Sequence, residues 1–303
     1  MVKAKYILIS VCGPTAAGKT TLAIELAKYF QTEIISADSR QFYRETEIGT
    51  AKPSTEELAA VPHHFINSHS ITENFSVADF EKAALTKLEE LFQQHKIVLM
   101  VGGSGLYLQA IYQGFDDLPN AEPQEREHWN QAYQEFGLEY LQNQLKILDP
   151  EYYEQVDLQN PQRIIRALEI SASTGKPFSS FLTKTKKERD FKIIKIGINP
   201  ERAILYERIN NRVDEMVKNG LVKEASDLLP QQHLNALNTV GYKEIFDAFN
   251  KKTPVKEALT LIKQNTRHFA KRQITWFKKD QEILWFDSPD LQAVLSVLLP
   301  LIG

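Results

Sequence analysis

The sequence contains a single cysteine, Cys12, among its 303 residues. One thiol excludes an internal disulfide and is typical of a protein that works in a reducing compartment. No apolar run is long enough to span a bilayer, and the amino terminus lacks the small-residue cleavage site of a secretory signal. We therefore expect a cytoplasmic chain that does not engage a membrane.

The sequence also lacks a strong charge of either sign. Its formal net charge is -3, which argues against nonspecific nucleic-acid binding by the whole surface. The distribution is uneven, however, because residues 251–280 carry nine basic and two acidic side chains, and a second basic stretch begins at Lys184. A single basic run is usually a helix face exposed to solvent. Two basic runs in one chain make a polyanionic partner plausible without establishing it.

Internal repeats and low-complexity tracts are absent, and the order of the remaining elements favours an α/β fold. Strands are predicted at 6–11, 33–36, 97–101, 191–198 and 282–286. Helices are predicted over 19–30, after an N-cap at Ser76, and over 200–219 with Asn199 as the cap. The alternation of strand, loop, helix and strand predicts a parallel sheet flanked by helices with right-handed crossovers.

The pattern changes over residues 118–189, where the periodicity is helical and no convincing strand is found. The stretch "NPQRIIRALEISASTGKP" opens on an Asn-Pro pair and closes on Gly and Pro, which are the usual start and stop signals of a helix. We therefore expect a helical insertion domain at 118–189. Residues 1–117 and 190–303 would form the α/β core with a helical carboxyl-terminal part.

The stretch "GPTAAGKTT" fits the phosphate-loop pattern G-x-x-x-x-G-K-[ST], directly after a strand and at the start of a helix. Glycines at both ends allow backbone N–H groups to surround phosphate oxygens, and the helix terminus favours an anion. Lys19 can neutralise a terminal phosphate, and the Thr20 hydroxyl can hold Mg²⁺. The predicted phosphate-binding residues are Gly13, Pro14, Thr15, Ala16, Ala17, Gly18, Lys19 and Thr20.

A nucleotide hydrolase usually has an acidic residue at the end of a second hydrophobic strand. Here "IVLMV" ends in two glycines, and the acid at a strand end near the loop is Asp38. Asp38 is a candidate general base, metal ligand or helix cap. Ser104, in "GGSG" after the facing strand, supplies a hydroxyl or belongs to an ordinary turn.

Several longer motifs then occur in order, among them "ISADSRQFYRETEIGTAKPS", "VGGSGLYLQA", "NPQRIIRALE", "VGYKE" and "TRHFAKRQITWFKKD". Together with the phosphate loop they resemble the bacterial tRNA isopentenyltransferase (dimethylallyltransferase) family. The resemblance covers residues 11–280, and "IGTAKPS" and "AKRQITWF" are far more specific than the phosphate loop.

The resemblance implies a P-loop NTPase-like core that binds the diphosphate of dimethylallyl diphosphate instead of ATP. The N6 amine of adenosine 37, in the tRNA anticodon stem-loop, attacks the allylic carbon, and diphosphate leaves. Lys19, backbone amides and Mg²⁺ stabilise the leaving group, and Asp38 takes the proton with Ser104 close by. The insertion grips the tRNA. No dimer signature stands out, and we expect a monomer.

The resemblance also assigns binding residues. Arg202 and Arg208 are expected at the diphosphate, with Arg212 of the same helix as a further candidate. The expected tRNA contacts are Asp38, Ser39, Arg40, Gln41, Ser104, Arg126, Gln162, Arg163, Ile164, Ile165, Arg166, Gly241, Tyr242, Lys243, Lys271, Arg272 and Gln273. Without the resemblance, Arg163 and Arg166 would be read as surface ion-pair residues.

Rival interpretations use the same features differently. A small-molecule or nucleoside kinase would use the phosphate loop with Asp38 as base, but it leaves "AKRQITWF" unexplained. A non-catalytic RNA-binding module would explain the basic segments but leave the phosphate loop without a task. A prenyltransferase acting on free AMP would have no use for an insertion that grips tRNA.

Overall fold

The fold is built around a six-stranded parallel sheet, in a computed structural model that describes residues 5–183 and 185–303. Lys184, where the second basic stretch begins, lies outside the described residues. The strands are β1 (Tyr6–Cys12), β2 (Ile34–Ser36), β3 (His63–His64), β4 (Ile97–Gly102), β5 (Phe191–Ile198) and β6 (Ile283–Phe286). The helices are α1 (Lys19–Phe30), α2 (Thr55–Ala60), α3 (Val77–Phe92), α4 (Gly105–Gln113), α5 (Pro123–Leu148), α6 (Pro150–Tyr153), α7 (Pro161–Thr174), α8 (Arg202–Lys218), α9 (Leu221–Leu228), α10 (Tyr242–Lys251), α11 (Val255–Phe277) and α12 (Leu291–Ile302).

The predicted fold class is confirmed, and so are the five predicted strands, each within one residue at either end. The predicted cap of α3 is also confirmed, since the Ser76 side chain accepts a hydrogen bond from the backbone N–H of Asp79. The predicted start of α8 was wrong. Asn199 donates its backbone N–H to Phe286 of β6 and so extends the sheet, and the helix begins at Arg202.

Three elements were not expected from the sequence. Strand β3 has only two residues, too few to produce a periodic pattern. Helix α2 has six residues and contributes no buried side chain. Helix α4 starts at Gly105, inside a Gly-Gly-Ser-Gly stretch that is typical of a turn.

The sheet has the strand order β3-β2-β4-β1-β5-β6, with all neighbours parallel. Side chains of β1 alternate between its two faces, as the period of a strand requires. Ile7, Ile9 and Val11 pack with α1 and α12 on one face. Leu8 and Cys12 pack with α3 and α4 on the other face. Helices therefore cover both faces, and β1 lies in the core.

The register of the strands brings their carboxyl ends to one edge. Cys12 of β1 pairs with Gly102 of β4, and Ser36 of β2 pairs with Val101 of β4. The segments that follow these three strands therefore leave the sheet side by side. Ligands of open parallel sheets bind at this edge.

The chain divides into two compact units. One contains the sheet and comprises the chain up to Gln113 and from Glu188 onward, and the other spans Gly114–Lys187. The second unit consists of α5, α6, α7 and a short 3-10 helix in its described residues, around a core of its own. Within the part of the chain that the structure describes, no helix combines the length and apolar character needed to cross a membrane.

The chain leaves the sheet-containing unit and returns to it at adjacent points. Arg189, just after the return, donates to the carbonyl oxygens of Ala110 and Ile111 in the last turn of α4, at 2.7 and 2.9 Å. The same guanidinium pairs with Glu81 at 2.8 Å. These contacts satisfy carbonyl groups that a helix end leaves unpaired, and they hold the exit and the return together.

Candidate active site

The loop between β1 and α1 has the conformation of a phosphate-binding loop. Gly13 has φ +137°, and a side chain there would collide with the carbonyl oxygen of Ile198. Gly18 has φ +94° and caps α1, whose first two residues are Lys19 and Thr20. Glycine adopts such positive φ values without steric cost. The N–H groups at the start of α1 make this loop a site for an anion.

Lys19 supplies a positive charge at this loop. Its ammonium group donates to the carbonyl oxygen of Pro14 at 2.7 Å. Burial lowers the pKa of Lys19 from 10.5 to about 8, the charge of Asp38 raises this pKa, and the charge of Arg212 lowers it further. An anion bound here would stabilise the charged amine.

Asp38 follows β2 and is held in a turn. Its Oδ1 accepts a hydrogen bond from the backbone N–H of Arg40 at 3.1 Å, which is an Asx turn. Since residues 39–42 form a turn, the carboxylate caps that turn and not a helix. Asp38 lines the same cavity as Lys19, so a carboxylate and a candidate phosphate site face one space.

Ser104 lies in the turn after β4, on the strand next to β2. Its hydroxyl accepts from the backbone N–H of Ser39 and donates to the hydroxyl of Ser39, both at 3.1 Å. These bonds tie the turn after β4 to the turn that carries Asp38. The predicted pair Asp38 and Ser104 therefore comes together at the sheet edge.

These residues line a cavity of about 720 Å³. Its polar lining includes Lys19, Thr20, Asp38 and Ser104. Apolar lining comes from α8 and α11, with Ile209, Val213, Met216, Ile262 and Phe269. The cavity therefore combines an anion site with an apolar wall.

Arg212 is the arginine of α8 that lines this cavity. Burial lowers the pKa of its guanidinium, and the charges of Glu215, Glu57 and Asp38, in decreasing order, raise it. Arg202 lies outside the cavity, with its guanidinium 5.1 Å from the ring centre of Tyr206. Arg208 reaches the carbonyl oxygen of Ala17 at 3.5 Å. Arg212 follows Arg208 by one turn on the same face of α8, so the geometry brings Arg208 to the phosphate loop and Arg212 to the cavity, and it does not bring Arg202 to either.

Arg40 and Gln41 organise loops around the cavity that they line. Arg40 donates to three backbone carbonyls, those of Asn235, Ala236 and Asn238, at 2.9 to 3.3 Å. Gln41 donates to the carbonyls of Thr50 and Ala51 at 3.3 and 3.1 Å. In this structure, both side chains are bonded to backbone carbonyls of neighbouring loops.

Tyr242 does not fit its expected role in tRNA contact, while its neighbours Gly241 and Lys243 line the cavity. Tyr242 is fully buried, and its hydroxyl donates to Glu224 at 2.6 Å. Glu224 also accepts the backbone N–H groups of Glu47, Ile48 and Gly49, at 2.8 to 3.0 Å. Tyr242 therefore supports the "EIGTAKPS" loop from behind, and this expectation is corrected.

The predicted run at Lys271 divides into three environments on α11. Arg272 is exposed and lines the cavity, Gln273 is largely buried but also lines it, and Lys271 is exposed outside it. The Gln273 amide oxygen accepts from the backbone N–H of Thr15 at 2.8 Å, and its nitrogen donates to the carbonyl of Gly103 at 2.9 Å. Both ends of this amide hold backbone groups, so in this structure Gln273 joins two loops of the cavity wall.

Two of the predicted arginines of the helical unit meet at one carboxylate. Glu169 is fully buried and accepts from Arg166 at 2.6 Å and from Arg126 at 3.0 Å. Arg126 also donates to Gln162 at 3.4 Å. Arg163 is exposed on the same helix.

Ile164 and Ile165, expected among the tRNA contacts, are fully buried in the core of the helical unit. Apolar side chains with no exposed surface cannot contact RNA directly, so this part of the prediction is wrong. Their role is to fix the helix that carries Gln162, Arg163 and Arg166.

Two acidic residues of the site were missed from the sequence. Glu169 had a usable signal, because an acid within the apolar run "RIIRALEI" and three residues after an arginine indicates a buried partner. Glu224 had none, since its partners at 47–49 lie far away in the chain. Such long-range capping is invisible to local patterns.

Two oxygen donors in the cavity lining suit a magnesium ion. Thr20 offers a hydroxyl and Asp38 a carboxylate, both in the cavity lining. Mg²⁺ in proteins commonly takes one or two carboxylates and completes its shell with water and phosphate oxygens. Among the described residues, no cluster of three or more His, Cys, Asp or Glu could hold a resident metal.

An all-parallel sheet, a glycine loop after its first strand and a Lys-Thr pair at the start of the next helix define a P-loop fold with a phosphate-binding cavity. The family model described as IPP transferase matches residues 41–280. The chain belongs to the IPP transferase family.

Similar proteins extend over nearly the whole chain. A tRNA dimethylallyltransferase of Christiangramia forsetii is 58% identical over 280 residues, covering 92% of this chain and 93% of that protein. One of Flavobacterium psychrophilum is 51% identical over 298 residues, covering 96% and 97%.

Solved structures of similar proteins also cover nearly the whole chain. The full-length tRNA isopentenylpyrophosphate transferase of Bacillus halodurans is 35% identical with a TM-score of 0.71, covering 98% of this chain and 96% of that chain. A eukaryotic dimethylallyltransferase acting on tRNA is 26% identical with a TM-score of 0.78, covering 98% and 79%.

Proposed function

We propose that the protein transfers a dimethylallyl group from dimethylallyl diphosphate to N6 of adenosine 37 in tRNA, releasing diphosphate. The observation that carries the proposal is that the phosphate loop and the Asp38–Ser104 pair line one cavity of about 720 Å³. Relatives over 50% identical along almost the full chain are tRNA dimethylallyltransferases. A kinase would leave the segment "AKRQITWF" unexplained.

The reaction forms one bond and breaks one. The N6 lone pair of adenine attacks the allylic carbon, and the bond from that carbon to the diphosphate oxygen breaks. Asp38 accepts the proton that N6 loses, which keeps the exocyclic nitrogen from carrying a positive charge. The Ser104 hydroxyl, fixed by Ser39, orients the turn beside Asp38.

The leaving diphosphate is held by groups that are already in place. The N–H groups at the start of α1 and the Lys19 ammonium surround it, and Arg212 adds a second cation. Charge that develops on a leaving group is best stabilised by donors that need no rearrangement. Thr20 would hold Mg²⁺, which when bound neutralises part of the diphosphate charge.

In this proposal, each unit contributes residues that contact the tRNA. The exposed Arg163 and the Glu169-bound Arg126 and Arg166 contact the anticodon stem-loop, and Arg272 and Lys243 meet RNA at the cavity. The target base leaves its stack to reach Asp38. The protein acts as a monomer in the cytoplasm.

A donor-swap assay tests the proposal. Purified protein, Mg²⁺ and unmodified tRNA receive either labelled dimethylallyl diphosphate or γ-labelled ATP, and digested nucleosides are identified by mass. We expect dimethylallyl-adenosine with the prenyl donor alone. Transfer of label from ATP would overturn the proposal, and so would modification of free AMP in preference to tRNA.

A further inference from the structure

The buried amide of Gln273 joins two loops that belong to different parts of the site. Its oxygen accepts from the backbone N–H of Thr15 in the phosphate loop, and its nitrogen donates to the carbonyl of Gly103. Gly103 directly precedes Ser104, whose hydroxyl is bonded to Ser39 beside Asp38. One side chain therefore connects the diphosphate side of the cavity with the acceptor side.

The packing around this amide leaves little freedom. The structure has no room for a Cβ at Gly103, because the Gln273 amide lies against it, or at Gly105, because the Trp276 ring lies against it. Helix α11 thus contacts the turn after β4 at two successive places. Movement of the phosphate loop relative to this turn requires the Gln273 bridge to break.

A glutamine is suited to this place for a chemical reason. Thr15 offers a donor and Gly103 an acceptor, so the bridging group must accept at one end and donate at the other. A primary amide does both while remaining neutral. A carboxylate can only accept, and it would face the carbonyl of Gly103 with repulsion.

We infer that Gln273 is a positioning residue for prenyl transfer, which sets the distance between the diphosphate-bearing loop and the turn that carries the acceptor-side hydroxyl. The inference rests on the proposed function. Bond formation requires the adenine nitrogen and the allylic carbon to approach within about 3 to 3.5 Å, and small misplacements are costly. Gln273 lines the cavity, and its amide acts through the two backbone groups that it holds, those of Thr15 and Gly103.

The test compares Gln273→Glu with Gln273→Met in single-turnover prenylation of tRNA, with both substrates saturating, from pH 6 to 8.5. At pH 8 both variants should be slower by about 100-fold, while donor KM changes much less. On acidification the rate of Gln273→Glu relative to wild type should rise. A protonated carboxyl has one acceptor and one donor oxygen, as the amide does, whereas methionine has no proton to gain.

Three outcomes would overturn the inference. The first is a Gln273→Glu rate equal to wild type at pH 8, which would show that the donation to Gly103 is unnecessary. The second is a slow Gln273→Glu with no recovery on acidification, which would leave only a packing role. The third is a loss in donor KM as large as the loss in rate. If Gln273→Met does not fold, the pH profile of Gln273→Glu decides alone.

Failure of the proposed function would look different. Wild-type protein would then form no prenylated tRNA, and the inference would fall with it. If the wild-type protein prenylates tRNA and the Gln273 variants are equally active, the inference about Gln273 is wrong but the proposed function stands.

Discussion

Lys19 and Asp38 share one cavity, and the charge of Asp38 raises the pKa of Lys19 while burial lowers it to about 8. Lysine in water has a pKa near 10.4. The free enzyme therefore begins to lose the Lys19 charge near pH 8, and a bound diphosphate would restore it. This relationship links donor binding to proton uptake.

The affinity for dimethylallyl diphosphate should fall as the pH rises above about 8. The folded pKa of Lys19 is depressed, so above it the free enzyme must take up a proton to form the charged complex, at a cost of up to about tenfold in affinity per pH unit. Calorimetry in two buffers of different ionisation enthalpy measures this uptake. Lys19→Arg is the control, because its charge persists, and a flat wild-type profile from pH 7 to 9.5 would contradict the prediction.

Asp38→Asn should slow prenyl transfer by about 100- to 10,000-fold, because the amide keeps the shape of the Asx turn but cannot accept the N6 proton. Binding of tRNA should be nearly unchanged. Single-turnover rates and filter binding separate the two effects. A variant that transfers normally but releases tRNA would make Asp38 a recognition residue instead of a base.

Arg212→Ala should raise donor KM by about 10- to 100-fold, which is the value of a hydrogen bond to a charged group. Arg202→Ala is the matched control on the same helix, and its KM should remain close to wild type because this side chain lies over Tyr206 outside the cavity. Steady-state kinetics at saturating tRNA give both values. A larger increase in donor KM for Arg202→Ala than for Arg212→Ala would show that Arg202 binds the diphosphate.

Tyr242→Phe should lower the free energy of unfolding by about 2 kcal/mol, because it removes a hydrogen bond to the Glu224 carboxylate in a buried site. Affinity for tRNA should change little. Lys243→Ala, its exposed neighbour in the cavity lining, should do the opposite. Urea denaturation and tRNA binding distinguish these results, and a stable Tyr242→Phe that loses tRNA would mean that the tyrosine contacts RNA.

Glu169→Gln should raise the KM for tRNA by about tenfold, because Arg126 and Arg166 lose the carboxylate that orders them and must be ordered on binding. The loss of a negative charge acts in the other direction, since it strengthens attraction to phosphate. Kinetics at two salt concentrations reveal which effect dominates. Tighter binding by the variant would show that net charge matters more than arginine placement.

Local signals in the sequence predicted much of the fold. The phosphate loop, α1 and α7 carry their own start and stop residues, such as Gly18 before α1 and Asn160 before α7, whose side chain accepts the backbone N–H of Arg163. The buried strands were predicted from their apolar runs. Two-residue β3 had no such pattern, and its existence depends on pairing with β2.

The sequence predicted those residues of the candidate site that lie in a local motif or directly after a strand. Lys19, Asp38 and Ser104 follow strand ends, so the sheet topology alone brings them together. The tasks of Gln273, Glu224 and Tyr242 depend on partners far away in the chain, such as Thr15 for Gln273. Sequence patterns marked Gln273 and Tyr242 as important but could not tell a side chain that faces RNA from one that holds the walls of the cavity.

Arg189 fastens the point where the chain re-enters the sheet-containing unit to the end of α4, where the chain departed. With both ends fixed at one place, the excursion in between closes a loop whose entropic cost grows only slowly with its length. Evolution can therefore enlarge, trim or exchange the intervening helices without redesigning the catalytic sheet. The position of Arg189 thus separates the length of the helical unit from the geometry of the sheet edge.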